Sequence, residues 1–171
     1  RFANLPVNRS LTLLEKIAKF FNCKVQETEY KLVAGSRRCV KLSGKGNLGY
    51  YNQDIWNAIL ERIGHLIPKN TVIYSEIIGW DGDKPLQKDY TYQIPKGSID
   101  NYIYRIASVN DDGFMIDWSW TQVKKFCCEN GLKHVPEVWK GWFKDFDYRD
   151  YEDKKFKEEL GLEQCLPLDS G

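Results

Sequence analysis

The run Thr71-Val72-Ile73-Tyr74-Ser75-Glu76-Ile77-Ile78, followed by Gly79-Trp80, constrains the fold more than any other stretch of this chain. β-Branched and aromatic residues dominate it, and such side chains suit a pleated strand better than a helix. The run reads as a strand that stops in a glycine turn. Alternation puts Ser75 and Ile77 on one face and Tyr74, Glu76 and Ile78 on the other. An ionised carboxylate among apolar neighbours needs a hydrogen-bonding or cationic partner. Glu76 is therefore either a binding group with such a partner or an edge glutamate that reaches water. Spacing alone leaves both readings open.

The rest of the chain supplies partners for that strand. Leu13, Ile17, Phe20 and Phe21 form an apolar stripe at helical spacing, and Thr12 with Glu15 fits a capping box, so a helix is expected from about 12 to 22. Residues 23–33 and 37–42 read as two strands joined through Ala34-Gly35-Ser36, and Gly44-Lys45-Gly46-Asn47 as a loop. Ile55, Trp56, Ile59, Leu60 and Ile63 mark a second helix ending near Gly64, with His65 at its surface end. Trp80 to Lys88 reads as a polar loop. Tyr102–Ile106 and Phe114–Trp118 flank Asn110-Asp111-Asp112-Gly113, a strong hairpin signal. Ser119 with Gln122 starts a third helix that Gly131 closes, Lys133–Pro136 is extended, and Glu152–Leu160 reads as a short surface helix. The expected class is α+β, with mostly antiparallel sheets and packed helices.

A length of 171 residues suits one domain with a substantial core, and 42% hydrophobic, 14% aromatic and 29% charged residues read as soluble and globular. No apolar run approaches the roughly 20 residues of a membrane span, and no signal peptide is visible. With a net charge of +1, a nucleic-acid ligand would have to meet local patches such as Arg37-Arg38, Lys41 and Lys45, or Lys124-Lys125. Five cysteines without a CxxC pair suggest a reduced, cytoplasmic setting. His65 and His134 lack the spacing of a zinc site.

A second segment carries candidate chemistry. In Glu29-Tyr30-Lys31-Leu32-Val33-Ala34-Gly35-Ser36-Arg37 a strand lysine enters a glycine turn with an arginine just beyond. Burial and nearby positive charge would depress a lysine pKa and free its lone pair for nucleophilic attack. Glycine lets the backbone approach a phosphate, and arginine can hold one. A solvated strand lysine is the plain alternative.

Together these motifs resemble the covalent nucleotidyltransferases, which comprise RNA ligases, DNA ligases and capping enzymes. In that family a strand glutamate like Glu76 binds the ribose of AMP, and Gln87-Lys88 after the turn is similar to RNA ligases in particular. The family's nucleophile motif runs Glu-x-Lys-x-Asp-Gly-x-Arg in many ATP-dependent DNA ligases, with shorter variants in RNA ligases. By that resemblance Lys31 would take AMP in a phosphoramide bond, with Glu29 near the adenine amino group and Arg37 near the ribose or the polynucleotide end. Three residues stand between Lys31 and Gly35 where the family has two, and Ala34 stands where an acidic or polar residue is usual. Tyr104 would stack on adenine, with Tyr102 as its competitor on the same face and a hairpin-core aromatic as the structural alternative. Asp117–Trp120 and Leu132–Pro136 also look like phage-type RNA ligases and read as scaffold.

The resemblance covers roughly residues 23–140. It implies an ATP-grasp-like adenylation fold, ATP and Mg²⁺ as cofactors, and RNA or other polynucleotide ends as partners. Arg38, Gln87 and Lys88 would be candidate polynucleotide contacts. No membrane and no stable protein partner are expected, and the expected setting is cytoplasmic, or that of a viral protein acting in the host cytoplasm. The family's closing Glu-Gly-x-x-x-(Arg/Lys) and Lys-x-Lys strands do not occur, so the adenylation domain is expected to be incomplete at its C-terminus. The expected activity is ATP-dependent sealing of 5′-phosphate to 3′-hydroxyl ends. A DNA ligase or capping-type enzyme and a non-catalytic nucleic-acid-binding domain on the same fold are the alternatives.

Overall fold

The computed structural model describes residues 2–6, 9–25, 28–36, 39–41, 51–88, 92–110, 112–137 and 139–147. Strand β1 (Phe2–Pro6) leads to helix α1 (Leu13–Phe20) and then to β2 (Thr28–Leu32), which pairs antiparallel with β1. Two-residue strands β3 (Ala34–Gly35) and β4 (Val40–Lys41) form a small hairpin. Helix α2 (Ile55–Ile63) runs into a 3₁₀ turn over Gly64–Leu66. Strand β5 (Thr71–Asp81) turns through Gly82 and Asp83 into β6 (Lys84–Pro85). Strand β7 (Ile99–Val109), β8 (Met115–Asp117), helix α3 (Trp120–Glu129) and a 3₁₀ turn over Phe143–Asp145 follow.

The main sheet has the order β6-β5-β7-β8, antiparallel throughout. A parallel bridge adds the segment around His134 beside Ile103. There Ile103 N–H donates to the Lys133 carbonyl at 3.0 Å and Val135 N–H to the Ile103 carbonyl at 2.9 Å. Helix α3 covers one face. Its Val123 and Cys127 join Ile103 and Ile106 in a fully buried cluster, walled by Ile73, Trp118, Trp120, Phe126 and Leu132. Burying each such aliphatic side chain contributes roughly 1.5–3 kcal/mol. Ile55, Ile59 and Ile63 give α2 its own buried stripe, and α2 packs on β3, β5 and β7.

The α+β class, the antiparallel sheet and the three helix starts agree with the sequence reading. Thr12 and Ser119 close complete capping boxes with Glu15 and Gln122. Several boundaries differ. β1 was not expected, because Phe-Ala-Asn-Leu-Pro carries no clear alternation, and its order comes from pairing with β2. Of the strand expected over 23–33, the described residues show only Thr28–Leu32. Ala34 and Gly35 do not form the expected turn: they pair with Lys41 and Val40, and Ser36 N–H donates to the Cys39 carbonyl at 2.9 Å. Lys31 therefore lies inside a strand rather than at the mouth of a glycine turn.

The strand carrying Glu76 also runs further than expected. It passes through Gly79 and Trp80 to Asp81, and β6 occupies part of the expected Trp80–Lys88 loop. Gly79 does not end the strand. It stands at φ 111°, where a β-carbon would collide with the Ser98 carbonyl oxygen and press on Ile94, so glycine admits the neighbouring chain. The surface helix expected at Glu152–Leu160 lies outside the described residues.

Candidate functional site

The face of β5 and β7 that bears Glu76 is built by register. Glu76 pairs with Tyr102, Ile78 with Asp100 and Tyr74 with Arg105. Directly opposed side chains on one face lie about 5 Å apart at Cβ. Glu76 is exposed, and among the described residues it makes no hydrogen bond or ion pair. The desolvation that simple alternation implied for it does not occur, because Tyr102 and Tyr104 stand beside it as half-open rings rather than as a closed core.

A β-bulge shapes the upper half of this face. The register steps from Tyr74↔Arg105 to Ser75↔Ile103, leaving Tyr104 as the additional residue. Both Tyr104 and Arg105 consequently lie against Tyr74. The Tyr74 and Tyr104 ring centroids are 6.3 Å apart, and the Arg105 guanidinium carbon is 4.7 Å above the Tyr74 ring. Arg105 is held by Asp117 on β8 through Nε at 2.9 Å and Nη2 at 2.8 Å. Tyr104 is 48% exposed, which leaves a ring surface open beside Glu76.

The lower half is ionic. Asp100 accepts from Arg62 Nη2 at 3.0 Å and from Asn101 N–H at 2.8 Å, while Lys133 Nζ meets its other oxygen at 2.6 Å. Burial pushes the Asp100 carboxyl up. The Lys133 and Asn101 hydrogen bonds and the charges of Lys133 and Arg62 outweigh it and hold the group below its ordinary value. Lys133 also lies over Tyr102, 5.6 Å from the ring centroid. Glu76 thus stands between an aromatic pair with one cation and a second aromatic with another.

The other sequence candidates sit elsewhere or in different settings. Lys31 and Glu29 are on β2 and form an ion pair with each other, and the Lys31 side chain is 56% exposed. The burial invoked for an activated amine is not found at Lys31, whose side chain is more than half exposed and has a carboxylate as its partner. Arg37 and Arg38 lie outside the described residues. Gln87 and Lys88 are exposed after β6, and Gln87 accepts from the Tyr92 hydroxyl at 2.6 Å. Among the described residues no group of three or more His, Cys, Asp or Glu is placed to hold a metal ion, and no helix is long and apolar enough to cross a membrane.

Sequence reasoning passed over Tyr74, Arg105 and Lys133. Arg105 had a readable signal. Strict alternation would bury its guanidinium beside Ile103, so Ile103-Tyr104-Arg105-Ile106 fits a buried face only if a bulge turns both middle residues outward. Lys133 lies in the Leu132–Pro136 segment read as scaffold, and no local pattern pairs it with Asp100, which is remote in the chain.

Neither protein-family models, nor curated proteins, nor solved structures give any match to this chain.

Proposed function

We propose that this chain is an RNA-ligase-like nucleotidyltransferase domain that takes ATP on the exposed face of β5 and β7. The observation that carries the reading is Glu76. It is an exposed strand carboxylate with no hydrogen-bond or ion-pair partner among the described residues, registered against Tyr102, with the open Tyr104 ring next along the same face. A carboxylate with free lone pairs accepts from vicinal ribose hydroxyls, and an aromatic ring beside it offers a stacking surface for a base. In this reading Lys31 attacks the α-phosphorus, an N–P bond forms, pyrophosphate leaves, and the AMP then passes to a 5′-phosphate end for sealing by a 3′-hydroxyl. The described carboxylates do not form a metal cage. Mg²⁺ belongs to the proposal only as the ion that accompanies the triphosphate.

A second reading is favoured by the Lys31–Glu29 ion pair and its exposure: a domain that binds nucleotide or polynucleotide without transferring it. One experiment addresses both. The chain is incubated with α-labelled ATP and Mg²⁺, run on a denaturing gel, and assayed separately for reversible ATP binding. The ligase reading expects acid-labile label that Lys31→Ala abolishes and Glu76→Ala cripples, with Glu76→Gln milder because its amide oxygen still accepts. Label that persists in Lys31→Ala and disappears on changing Lys24 or Lys41 would reassign the nucleophile. Reversible binding without label supports the second reading, and neither binding nor label contradicts both.

A further inference from the structure

We propose that Lys133 is a phosphate-contacting cation of the Glu76 face, held beside Tyr102 by Asp100 until a nucleotide arrives. This rests on the nucleotide-binding reading above. Among the described residues one carboxylate, Asp100, is shared by two cations, Arg62 and Lys133, an excess of one positive charge in this cluster.

The two cations are held differently. Arg62 is fixed by three acceptors, the Ile99 carbonyl at 3.1 Å, Asp100 at 3.0 Å and the Asn101 side-chain oxygen at 2.8 Å. It ties α2 to the start of β7 and has no freedom to leave. Lys133 has one carboxylate oxygen and the Tyr102 ring, and its side chain is 54% exposed. Its main chain is anchored, since its carbonyl accepts from Ile103 N–H. The flexible four-carbon stem can therefore swing from a fixed root. If Nζ leaves, Asp100 keeps Arg62 and the Asn101 N–H, so no charge is stranded.

Position completes the case. Tyr102 is the residue registered against Glu76, so the ammonium over its ring flanks the carboxylate proposed to hold the ribose. A nucleotide with its sugar at Glu76 would carry its phosphates within reach of a nearby ammonium. The other cation of this face, Arg105, is pinned by two contacts to Asp117 and stacked on Tyr74, which suits it to a fixed role.

The test is calorimetric binding of ATP and of adenosine to the full chain, as wild type, Lys133→Gln and Lys133→Arg. Adenosine has the base and sugar without phosphate. Lys133→Gln should weaken ATP by about ten- to a hundredfold, the range of a hydrogen bond to a charged group, and leave adenosine within about twofold. Lys133→Arg should restore most of the ATP affinity. The fall in ATP affinity with added salt should be shallower in Lys133→Gln than in wild type. Equal weakening of both ligands, or unchanged ATP binding, would overturn the role of Lys133 while leaving the nucleotide site standing. A wild-type chain that binds neither ligand would instead remove the site itself, and the inference with it.

Discussion

The two halves of this molecule handle apolar surface in opposite ways. In the β5/β7 half, Ile103, Ile106, Val123 and Cys127 are fully buried between a long ladder and α3. In the N-terminal half, α1 buries no residue. Its Leu13 is 75% exposed, Leu14 77% and Phe20 85%, although its capping box is complete and its stripe well formed. Local sequence signals determine that a helix forms, but whether its stripe is covered depends on what the topology brings to it. The same contrast separates the candidate residues. Glu76, Tyr102 and Tyr104 sit on a ladder whose other face is a packed core, whereas Lys31 sits on a two-stranded ladder.

Alanine scanning across the two halves should break this contrast if it is wrong. Ile106→Ala should lower unfolding stability by about 2–5 kcal/mol, the range for emptying a tight core site, whereas Leu14→Ala should stay within about 0.5 kcal/mol. Urea unfolding of both variants measures this. Comparable losses would mean that α1 is as well buried in solution as α3. Next in size is Gly79→Ala, expected to cost about 1–3 kcal/mol through a positive φ and the blocked approach of Ser98. A neutral Gly79→Ala would show that the β5–β7 crossing at this point relaxes freely.

These expectations also mark how far the sequence was legible. Helix starts were readable because a cap is a local pattern, as Thr12/Glu15 and Ser119/Gln122 show. The long strands were readable because β-branched runs are local too. The ends were not, since Gly79 looks like a terminator in sequence and is instead the residue that lets Ser98 approach mid-strand. Of the site, counting in twos places Tyr102 and Tyr104 on one face of their strand and Glu76 with Tyr74 and Ile78 on one face of theirs, but that the two faces coincide depends on register. The bulge that adds Arg105, and the remote pairing that brings Lys133 to Asp100, depend on tertiary register. Lys31 was read as entering a glycine turn because Gly35 is a turn former, but pairing with Val40 draws Gly35 into a hairpin strand.

Titration sharpens the comparison at a smaller scale. Each half has a carboxylate held below its ordinary value. Glu15, lowered to about 2, is held first by the Arg9 hydrogen bond and then by those from Thr12, all at an open surface. Asp100 is held low against the burial that pushes it up. For a depressed carboxylate the stabilising contribution is present above the unfolded pKa and disappears as pH falls through the folded one. For Glu15 that window runs from 4.5 down to about 2. Carboxyl-carbon NMR titration should show Glu15 moving up toward its ordinary value in Arg9→Gln. Asp100 should move up in Lys133→Gln and stay put in Arg9→Gln. An Asp100 indifferent to Lys133→Gln would mean that Arg62 and Asn101 alone set its value.

The central claim is that the open face of β5 and β7 receives the nucleotide. Backbone and side-chain NMR of the labelled chain, titrated with ATP and Mg²⁺, tests it most directly. The account predicts saturable shifts concentrated at Tyr74, Glu76, Tyr102, Tyr104 and Lys133, with the buried Val123 and Cys127 unmoved and Glu76→Ala abolishing the pattern. Saturable shifts that cluster away from this face, or that persist unchanged in Glu76→Ala, would contradict it.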